Sequence, residues 1–563
     1  MGLHHSIDIT TWKMDHFNST HEELAGTIRL FADSDSTTSD KILLLPQPTE
    51  SPNDPLNWSY WRRVWSAALV LYITALTAAT SNSAGAAGTA LVEEYGIGWG
   101  VQNTAAGVLF LGIGYAALAL SSANWLYGRR ISYIICLISS IIGSVWFARS
   151  DGKADTILCQ LFLGISESVA EATAQLSLTD VTFQHQRGSV LGVYVLATSV
   201  GTFLGPMISG FIADSPLGWR WMGWLALIIS FCTLVVFYFG LEETAFDRDS
   251  ILDGLATGRS SAETDISGEK KTTADPTSVI ISDETNSDHR PRKGNLIPNG
   301  SDLVPKSYWQ RIALITPSPT LIGTGFKQYM RRTFHTLRIF YFPAVIYSGM
   351  QWGMQDAFLS FYMTVEDDNW TSEPYNYGDR ADAIMCIPTL IGAVIGCVYG
   401  GWFSDVFVRW MAKRRNNISE AEDRLWLMYL PAILSPIGLI LFGMGTQRVW
   451  PWPVPYVALG FIGFGFGCGG DLTMAYLMDC YPEAVLEGMV GVAVINNSLA
   501  CIFTFVCSIW LDAHSLTQVF VTLGCVSFGV MFIGTIVMMW FGKATRRLTA
   551  GKYKEFLYIR GSV

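Results

Sequence analysis

The chain has 563 residues, of which 50% are hydrophobic and 15% are charged, and its formal net charge is -10. Average soluble domains are about 25% charged, so this composition argues against a soluble enzyme. The high hydrophobic content excludes disorder for most of the chain. The negative net charge argues against a nucleic-acid partner.

The hydrophobic residues cluster into runs long enough to cross a membrane, which takes about 20 mostly apolar residues. These runs predict an all-α membrane protein with twelve transmembrane helices in two six-helix bundles, one on each side of a polar insert. We number the predicted spans one to twelve in chain order: 64–88, 102–122, 131–149, 156–180, 189–213, 221–241, 338–364, 383–403, 425–446, 455–478, 487–511 and 517–541.

Polar segments divide the chain around these bundles. The sequence predicts five parts, of which the linker is expected to be largely disordered because it is rich in Ser, Thr, Asp and Pro. The parts are an N-terminal tail (1–60), a first bundle (61–241), the linker (242–337), a second bundle (338–542) and a C-terminal tail (543–563).

The charged residues of the loops predict the orientation in the lipid bilayer. Lys and Arg concentrate in the loops on one side of the predicted spans, which predicts that this side and both termini are cytosolic. We expect a monomeric, multi-pass protein of the plasma membrane. Asn369-Trp370-Thr371 is the one Asn-X-Ser/Thr triplet that falls in an outside loop, which makes Asn369 the candidate glycosylation site.

Two loops at equivalent positions of the bundles carry related motifs. Gly128, Arg129 and Arg130 follow span two, and Gly401 and Asp405 lie where span eight ends. Together with the arrangement of six spans, an insert and six more spans, these motifs indicate a duplicated bundle.

In these motifs the chain resembles the major facilitator superfamily, in which this loop carries Gly, three residues, Asp and then Gly-Arg-Lys or Gly-Arg-Arg. The copy after span two departs from the family pattern, with Trp125 in the place of Asp and Ser121 in the place of Gly. The resemblance implies that the two bundles rock around a binding site at the midplane of the membrane. It also implies that these loop motifs take part in gating. It also implies a proton gradient as the energy source, with no other cofactor and no metal.

Gly201, Gly205 and Pro206 in span five resemble the glycine-rich motif of drug:proton antiporters in that superfamily. They mark either a bend used in rocking or close helix packing. The segments 54–59 and 218–221 are similar to a fungal branch that includes drug-resistance antiporters and polyamine or histidinol permeases. Gln160 in span four stands where the family often has an Arg tied to proton coupling, so coupling must use other groups.

Acidic residues within the spans are the first candidates for the binding site, because charges inside a bilayer are costly and tend to be functional. Glu167 and Glu171 in span four are four residues apart, which places both on one helix face. Two nearby carboxylates in a poorly solvated cavity resist simultaneous ionisation, so the pair suits proton coupling or substrate binding. Alternatively, Glu167 caps a polar pocket with Asn, Ser or water partners.

Further candidates lie in spans seven, ten and eleven. The resemblance implies that spans one, four, seven and ten line the central cavity, so that Glu171, Asp356 and Asp471 converge. The two asparagines of span eleven either bind a ligand or join helices. The candidates are Trp352, Asp356, Asp471, Tyr476, Asn496 and Asn497.

The predicted midplane contains acids but no Lys or Arg, which favours an organic cation or a protonatable amphiphile, bound partly through cation–π contacts. Alternatively, the acids bind only protons and the small-molecule substrate is neutral. The chain has no P-loop and its His residues are scattered, which argues against an ATP-driven pump and against a membrane metalloenzyme. We expect a proton-coupled secondary transporter, with export favoured. The alternatives are an uptake permease for polyamines and a non-transporting sensor.

Overall fold

The computed structural model describes residues 24–29, 46, 48–49, 51–246, 248, 304–318, 321, 325–365, 370, 373, 375 and 379–562. The described chain is almost entirely helical, as the spacing of its apolar runs predicts. The candidate glycosylation site Asn369 lies outside the described residues.

The first bundle contains spans one to six close to their predicted bounds. Span one continues beyond its main helix through a short 3-10 helix, Ser83–Ala87, into a short α-helix, Gly88–Tyr95. The span helices are Tyr60–Asn82, Trp99–Leu126, Arg130–Ala148, Lys153–Ser168 with Gln175–Asp180, Arg187–Ala213 and Arg220–Gly240.

The second bundle repeats the pattern with longer helices. Span eight continues past its predicted end to Arg414, and span twelve continues to Ser562. The span helices are Pro343–Val365, Asp379–Val398 with Ser404–Arg414, Ala421–Met428 with Tyr429–Gln447, Pro453–Cys480, Val485–Ala513, and Leu516–Phe528 with Gly534–Ser562.

Eleven helices of the described chain are long and apolar enough to cross a membrane. Span seven, Pro343–Val365, is a helix of 23 residues that falls outside this set. Its polar residues include Gln351, Gln355 and Asp356, all buried. The helix predicted for span seven is therefore present but more polar than the others.

Three spans contain one π-helical turn each: Val169–Ala174 in span four, Tyr399–Phe403 in span eight and Gly529–Ile533 in span twelve. Such turns widen the helix locally and occur frequently at functional sites. The first contains Glu171, and the second contains Gly401.

The two ends of the bundle differ in charge. We call the end that carries Arg129, Arg130, Lys413 and Arg414 the basic end. At this end a strand of the N-terminal tail, β1 (Thr27–Arg29), pairs antiparallel with β2 (Ile418–Glu420), which lies between spans eight and nine. The N-terminal tail therefore contacts the second bundle.

Within the described residues, the last part of the linker contains helical segments, although the sequence predicts a largely disordered linker. Tyr308–Arg311 is a helical turn, and Phe326–Thr336, which we call the linker helix, precedes span seven. One face of the linker helix is buried through Arg332, His335 and Thr336. This face supplies the packing that overrides the polar composition of the segment.

Small residues in span five allow it to approach span one closely. A Cβ atom on Gly201 would overlap the carbonyl oxygen of Ala75, and one on Gly205 would lie 2.6 Å from the Cα of Ala79. Pro206 follows inside the same helix. Close packing of spans one and five therefore requires glycine at both positions.

Candidate functional site

Three carboxyl groups from the two bundles come together in the interior, and we call Glu167, Glu171 and Asp356 the carboxyl triad. The charge of Asp356 in span seven interacts with those of Glu167 and Glu171 in span four. Glu167 and Asp356 are each 9% exposed. The predicted convergence of spans four and seven is thus present in the structure.

The surroundings of the triad come from three further spans. The Ser81 hydroxyl of span one lies within interaction range of the Glu167 carboxyl, and Asn496 of span eleven lies within range of Asp356. Tyr194 of span five interacts with Glu171, and its hydroxyl donates to the carbonyl oxygen of Ala170 at 3.0 Å. The site therefore connects five helices from both bundles.

Glu171 lies in the π-helical turn Val169–Ala174. Its side chain is partly exposed, whereas the oxygen Oε2 of Glu167 is buried without a hydrogen-bond partner among the described residues. A buried carboxylate that lacks donors is costly unless it binds a proton or a cation. The triad is therefore suited to holding either of these between the bundles.

Asp471 does not join the triad, which corrects the expected convergence of three acids. It is fully buried and packs against a seam of glycines where spans five, eight and ten meet. Cβ atoms on Gly192 and Gly400 would lie 3.0 and 3.1 Å from its Oδ2. Its charge interacts with Asp405 and Arg424, because the carboxyl is turned towards span eight.

Trp352 and Tyr476 each pack against another aromatic side chain of the second bundle. The Trp352 ring lies 4.9 Å from that of Phe466, over the space that a side chain on Gly470 would occupy. Tyr476 is fully buried and makes an edge contact with Tyr347 at 6.0 Å.

The two asparagines of span eleven have different surroundings. Asn496 is fully buried and faces Asp356. The amide of Asn497 donates to the carbonyl oxygen of Ala493 at 2.8 Å, and its Cβ lies 3.0 Å from the position a Cβ would take on Gly114 of span two. Asn496 therefore belongs to the site, and Asn497 joins spans two and eleven.

The motif after span eight connects the two bundles at the basic end. Asp405 accepts hydrogen bonds from the Gly188 amide at 3.2 Å, the Ser189 amide at 2.7 Å and the Ser189 hydroxyl at 2.8 Å. These donors form the first turn of span five, where a carboxylate is stabilised by free amides and by the helix dipole. Asp405 thus attaches span eight to the first bundle.

Arginines extend this contact into a network that we call the Asp405 cluster. Arg424 lies 3.0 Å from Asp405 and 2.7 Å from Asp479, and Arg187 lies 3.8 Å from Asp479. The side chains of Arg424 and Asp405 are 4% and 3% exposed. Asp479 therefore pairs with two arginines, Arg424 and Arg187, at the basic end.

The motif after span two is held by the start of the linker and by span four. Gly128 has a φ of 97°, which favours glycine. The amides of Arg129 and Arg130 donate to the Glu243 carboxylate at 3.0 and 3.1 Å, and Arg129 pairs with Asp180 at 3.3 Å.

Trp125, which stands where the family has Asp, is surrounded by cations. The guanidinium carbons of Arg129, Arg332 and Arg560 lie 5.2, 5.1 and 5.1 Å from its ring centroid. Arg560 also lies 3.6 Å from Glu487 at the start of span eleven. This group of five, the Trp125 cluster, joins the first bundle to the second through an aromatic ring.

Sequence reasoning missed several of these groups. No motif distinguishes Glu487, Arg332 and Arg560 in the sequence. They meet in the Trp125 cluster because the fold brings together segments that are far apart in the chain. Ser81 and Tyr194 are ordinary helix residues in sequence. Only the departure at Trp125 itself marks this region as unusual.

Comparison with known proteins identifies the family. The model of the Major Facilitator Superfamily matches residues 69–505. The uncharacterized MFS-type transporter C1271.10c of Schizosaccharomyces pombe is 47% identical over 556 residues, covering 96% of this chain and 95% of that protein. Protein HOL1 of Saccharomyces cerevisiae is 46% identical over 551 residues, covering 93% and 94%. The MFS antiporter QDR3 of Candida albicans is 22% identical over 578 residues, covering 89% and 80%.

Solved structures show the same fold. The proton:xylose symporter XylE superposes with a TM-score of 0.56 at 14% identity, covering 86% of this chain and 96% of that chain. The human organic anion transporter MFSD10 superposes with a TM-score of 0.52 at 14% identity, covering 83% and 99%. The predicted all-α major facilitator fold is confirmed, and the chain belongs to the major facilitator superfamily of membrane transporters.

Proposed function

We propose that this protein is a secondary transporter that moves a small organic cation across the membrane by proton-coupled alternating access. The carboxyl triad is the observation that supports this proposal. Glu167 and Glu171 belong to the first bundle and Asp356 to the second, so a cation or a proton held between them binds both bundles at once. Alternating access requires two arrangements of the bundles, one open to each side of the membrane. A cation or proton that binds one arrangement more tightly than the other shifts the equilibrium towards it.

The sign of the triad supports a cationic substrate. Neither residues 154–180 nor residues 343–365 contain Lys or Arg, so the two spans that supply the triad offer no positive charge to an anion. Protons and the substrate compete for the same carboxyls under this proposal, which is the simplest form of antiport. A neutral substrate would leave the acids to protons alone.

Reconstitution into proteoliposomes tests transport and substrate class together. With an imposed pH gradient, we expect uptake of at least one radiolabelled organic cation from a panel of amines and cationic drugs, and no uptake of size-matched organic anions. Collapse of the gradient with a protonophore should abolish accumulation. Binding of a cation without any crossing would contradict transport and favour a sensor.

We propose export as the direction, supported by the glycine-rich segment of span five and by the antiporter named among the more distant relatives. The resemblance to polyamine permeases supports uptake instead. A strain that lacks this gene, grown on a panel of toxic cations and drugs, separates the two directions. Greater sensitivity than the parent indicates export, and greater resistance indicates import.

We also propose that the basic end faces the cytosol at the plasma membrane, with both termini inside. The distribution of Lys and Arg supports this orientation, which places Asn369 outside the cell. Glycosidase treatment should then increase the electrophoretic mobility of the wild-type protein and leave Asn369→Gln unchanged. A wild-type protein without the shift would count against glycosylation at Asn369.

A further inference from the structure

The linker helix, Phe326–Thr336, leaves a row of large apolar side chains uncovered at the basic end. Phe326 is 69% exposed, Met330 39% and Phe334 68%, and the row continues through Leu337 and Tyr341 at 39% and 55%. Spacings of three and four residues place them on one face. We call this row the linker face.

Basic residues border the linker face along one edge. Lys327, Arg331 and Arg338 are exposed, and each follows a residue of the apolar row or lies one helical turn from it. The opposite side of the helix, with Arg332 and His335, is buried against the protein. The helix therefore has three sides: one packed on the protein, one apolar and one basic.

A groove continues the linker face towards the C-terminal part of span twelve. It has a volume of about 400 Å³, and its lining includes Leu337, Tyr341, Phe556, Arg338, Lys552 and Glu555. The ammonium of Lys552 lies 3.2 Å from the centroid of the Tyr341 ring. The groove thus combines apolar walls with two cations and one carboxylate.

The position of the linker face relative to span seven indicates what covers it. Tyr341 is followed directly by the helix Pro343–Val365, on which Ile346 and Met350 are 42% and 38% exposed. Further exposed apolar side chains therefore follow the row on the next helix, which spans the membrane. A helix with an apolar face and a basic edge beside a membrane-spanning helix has the character of an interfacial membrane helix.

We propose that the linker face and the groove bind an anionic phospholipid of the leaflet at the basic end. The acyl chains contact Phe334, Leu337 and Tyr341, and the headgroup phosphate is bound by Arg338 and Lys552, with Lys327 and Arg331 attracting further anionic lipid. The linker helix leads into span seven, which carries Asp356. A bound lipid therefore holds the first residues of span seven, a helix that supplies one member of the triad, in position. This inference stands on the linker face and groove and does not depend on the transported substrate.

Titration of the full-length protein with lipid in neutral detergent tests the proposal. Phosphatidylserine should raise the midpoint of thermal unfolding, and phosphatidylcholine with the same acyl chains should not. In Lys327→Gln/Arg331→Gln, the mole fraction of phosphatidylserine for half of the effect should rise about fivefold per removed charge. The matched control Lys153→Gln/Arg448→Gln removes two positive charges from the end of the bundles opposite to the basic end. It should behave as wild type.

Several results would overturn the proposal. Equal stabilisation by the two lipids removes the requirement for negative charge, and equal stabilisation by soluble glycerophosphoserine removes the requirement for acyl chains. The mole fraction of phosphatidylserine for half of the effect could also be unchanged in both Lys327→Gln/Arg331→Gln and the single variant Arg338→Gln. That result would assign the lipid to another site. A wild-type dimer that Phe334→Ser converts to a monomer assigns the linker face to a second copy of the chain.

Glu555→Gln provides a test of opposite sign. Removal of the one carboxylate in the groove should lower the mole fraction of phosphatidylserine needed for half of the effect by about fivefold, since a repelling charge is lost. An increase in that fraction would contradict phosphate binding in the groove.

Discussion

The two bundles meet at the basic end through clusters at equivalent positions of the repeat but of different chemistry. In the Asp405 cluster, a buried carboxylate accepts three hydrogen bonds from the first turn of span five and pairs with Arg424. In the Trp125 cluster, an aromatic ring faces three guanidinium groups. The first contact is made between spans alone, whereas the second recruits the linker helix and the C-terminal end of span twelve.

The loss of a motif carboxylate at Trp125 therefore does not leave a gap between the bundles. Arg332 and Arg560 come from segments outside the predicted spans, and Arg560 pairs with Glu487 of span eleven. The contact on this side therefore depends on two peripheral segments, while the contact on the Asp405 side does not. We expect the two clusters to respond differently to mutation.

Asp405→Asn should have the largest effect. It leaves the buried Arg424 with Asp479 as its ion-pair partner and removes the charge that stabilises the start of span five. Breaking a buried ion pair costs about 3 kcal/mol. Hydrogen exchange of residues 187–189 and thermal unfolding should report this loss, and the exposed Asp512→Asn should show neither. A change below about 0.5 kcal/mol would show that the carboxylate does not hold the bundles together.

Trp125→Ala should have a smaller effect that spreads to the peripheral segments. Loss of the cation–π contacts costs about 1–2 kcal/mol, and hydrogen exchange should rise in the linker helix and in residues 552–562. Trp125→Phe keeps a ring and should retain most of the protection. Equal exchange in all three proteins would mean that the ring does not organise these segments.

Trp125→Asp tests whether the two clusters are interchangeable. A carboxylate next to Arg129, Arg332 and Arg560 should restore the ionic contact of the family pattern and strengthen the contact between the bundles at the basic end by about 1 kcal/mol. Transport should then slow several-fold, because the proposed alternating access requires this contact to break in each cycle. Faster transport than in the wild type would contradict a closing role for this cluster.

The fold and part of the site could be predicted from the sequence. Apolar runs located the helices, and the spacing of Glu167 and Glu171 placed both on one face. Charge within a span singled out Asp356. These features are local, so a single sequence displays them.

The remaining features depend on which way a helix faces and on distant segments. Span ten is apolar on all sides, so its periodicity does not show that Asp471 faces span eight or that Tyr476 faces the interior of its own bundle. Two of the three arginines around Trp125, Arg332 and Arg560, lie more than 200 residues away in the chain. Neither kind of information is present in local sequence patterns.

A pH effect on the peripheral segments should be the smallest. Burial, followed by the charges of Arg338, Arg332 and Arg560, lowers the pKa of His335 to about 4, and its ring stacks on Phe556 at 4.4 Å. An unfolded chain binds this proton near pH 6.5, so the contribution of His335 to stability is complete above that pH and is lost as the pH falls towards 4.

Thermal unfolding between pH 7 and pH 5 should therefore show a steeper loss of stability in the wild type than in His335→Phe, which keeps the stacked ring without the titrating group. Parallel curves for the two proteins would indicate that His335 does not contribute to the acid sensitivity.

Proton coupling through the carboxyl triad is the central claim, and one comparison in proteoliposomes tests it most directly. Glu171→Gln removes the ionisable group of the partly exposed member of the triad. Glu93→Gln, the control, removes an exposed carboxyl at the end of the bundles opposite to the basic end. With an imposed pH gradient, we expect Glu93→Gln to accumulate the transported cation as the wild type does. Glu171→Gln should remain folded and monodisperse but show no gradient-driven accumulation. Wild-type accumulation by Glu171→Gln would contradict the account.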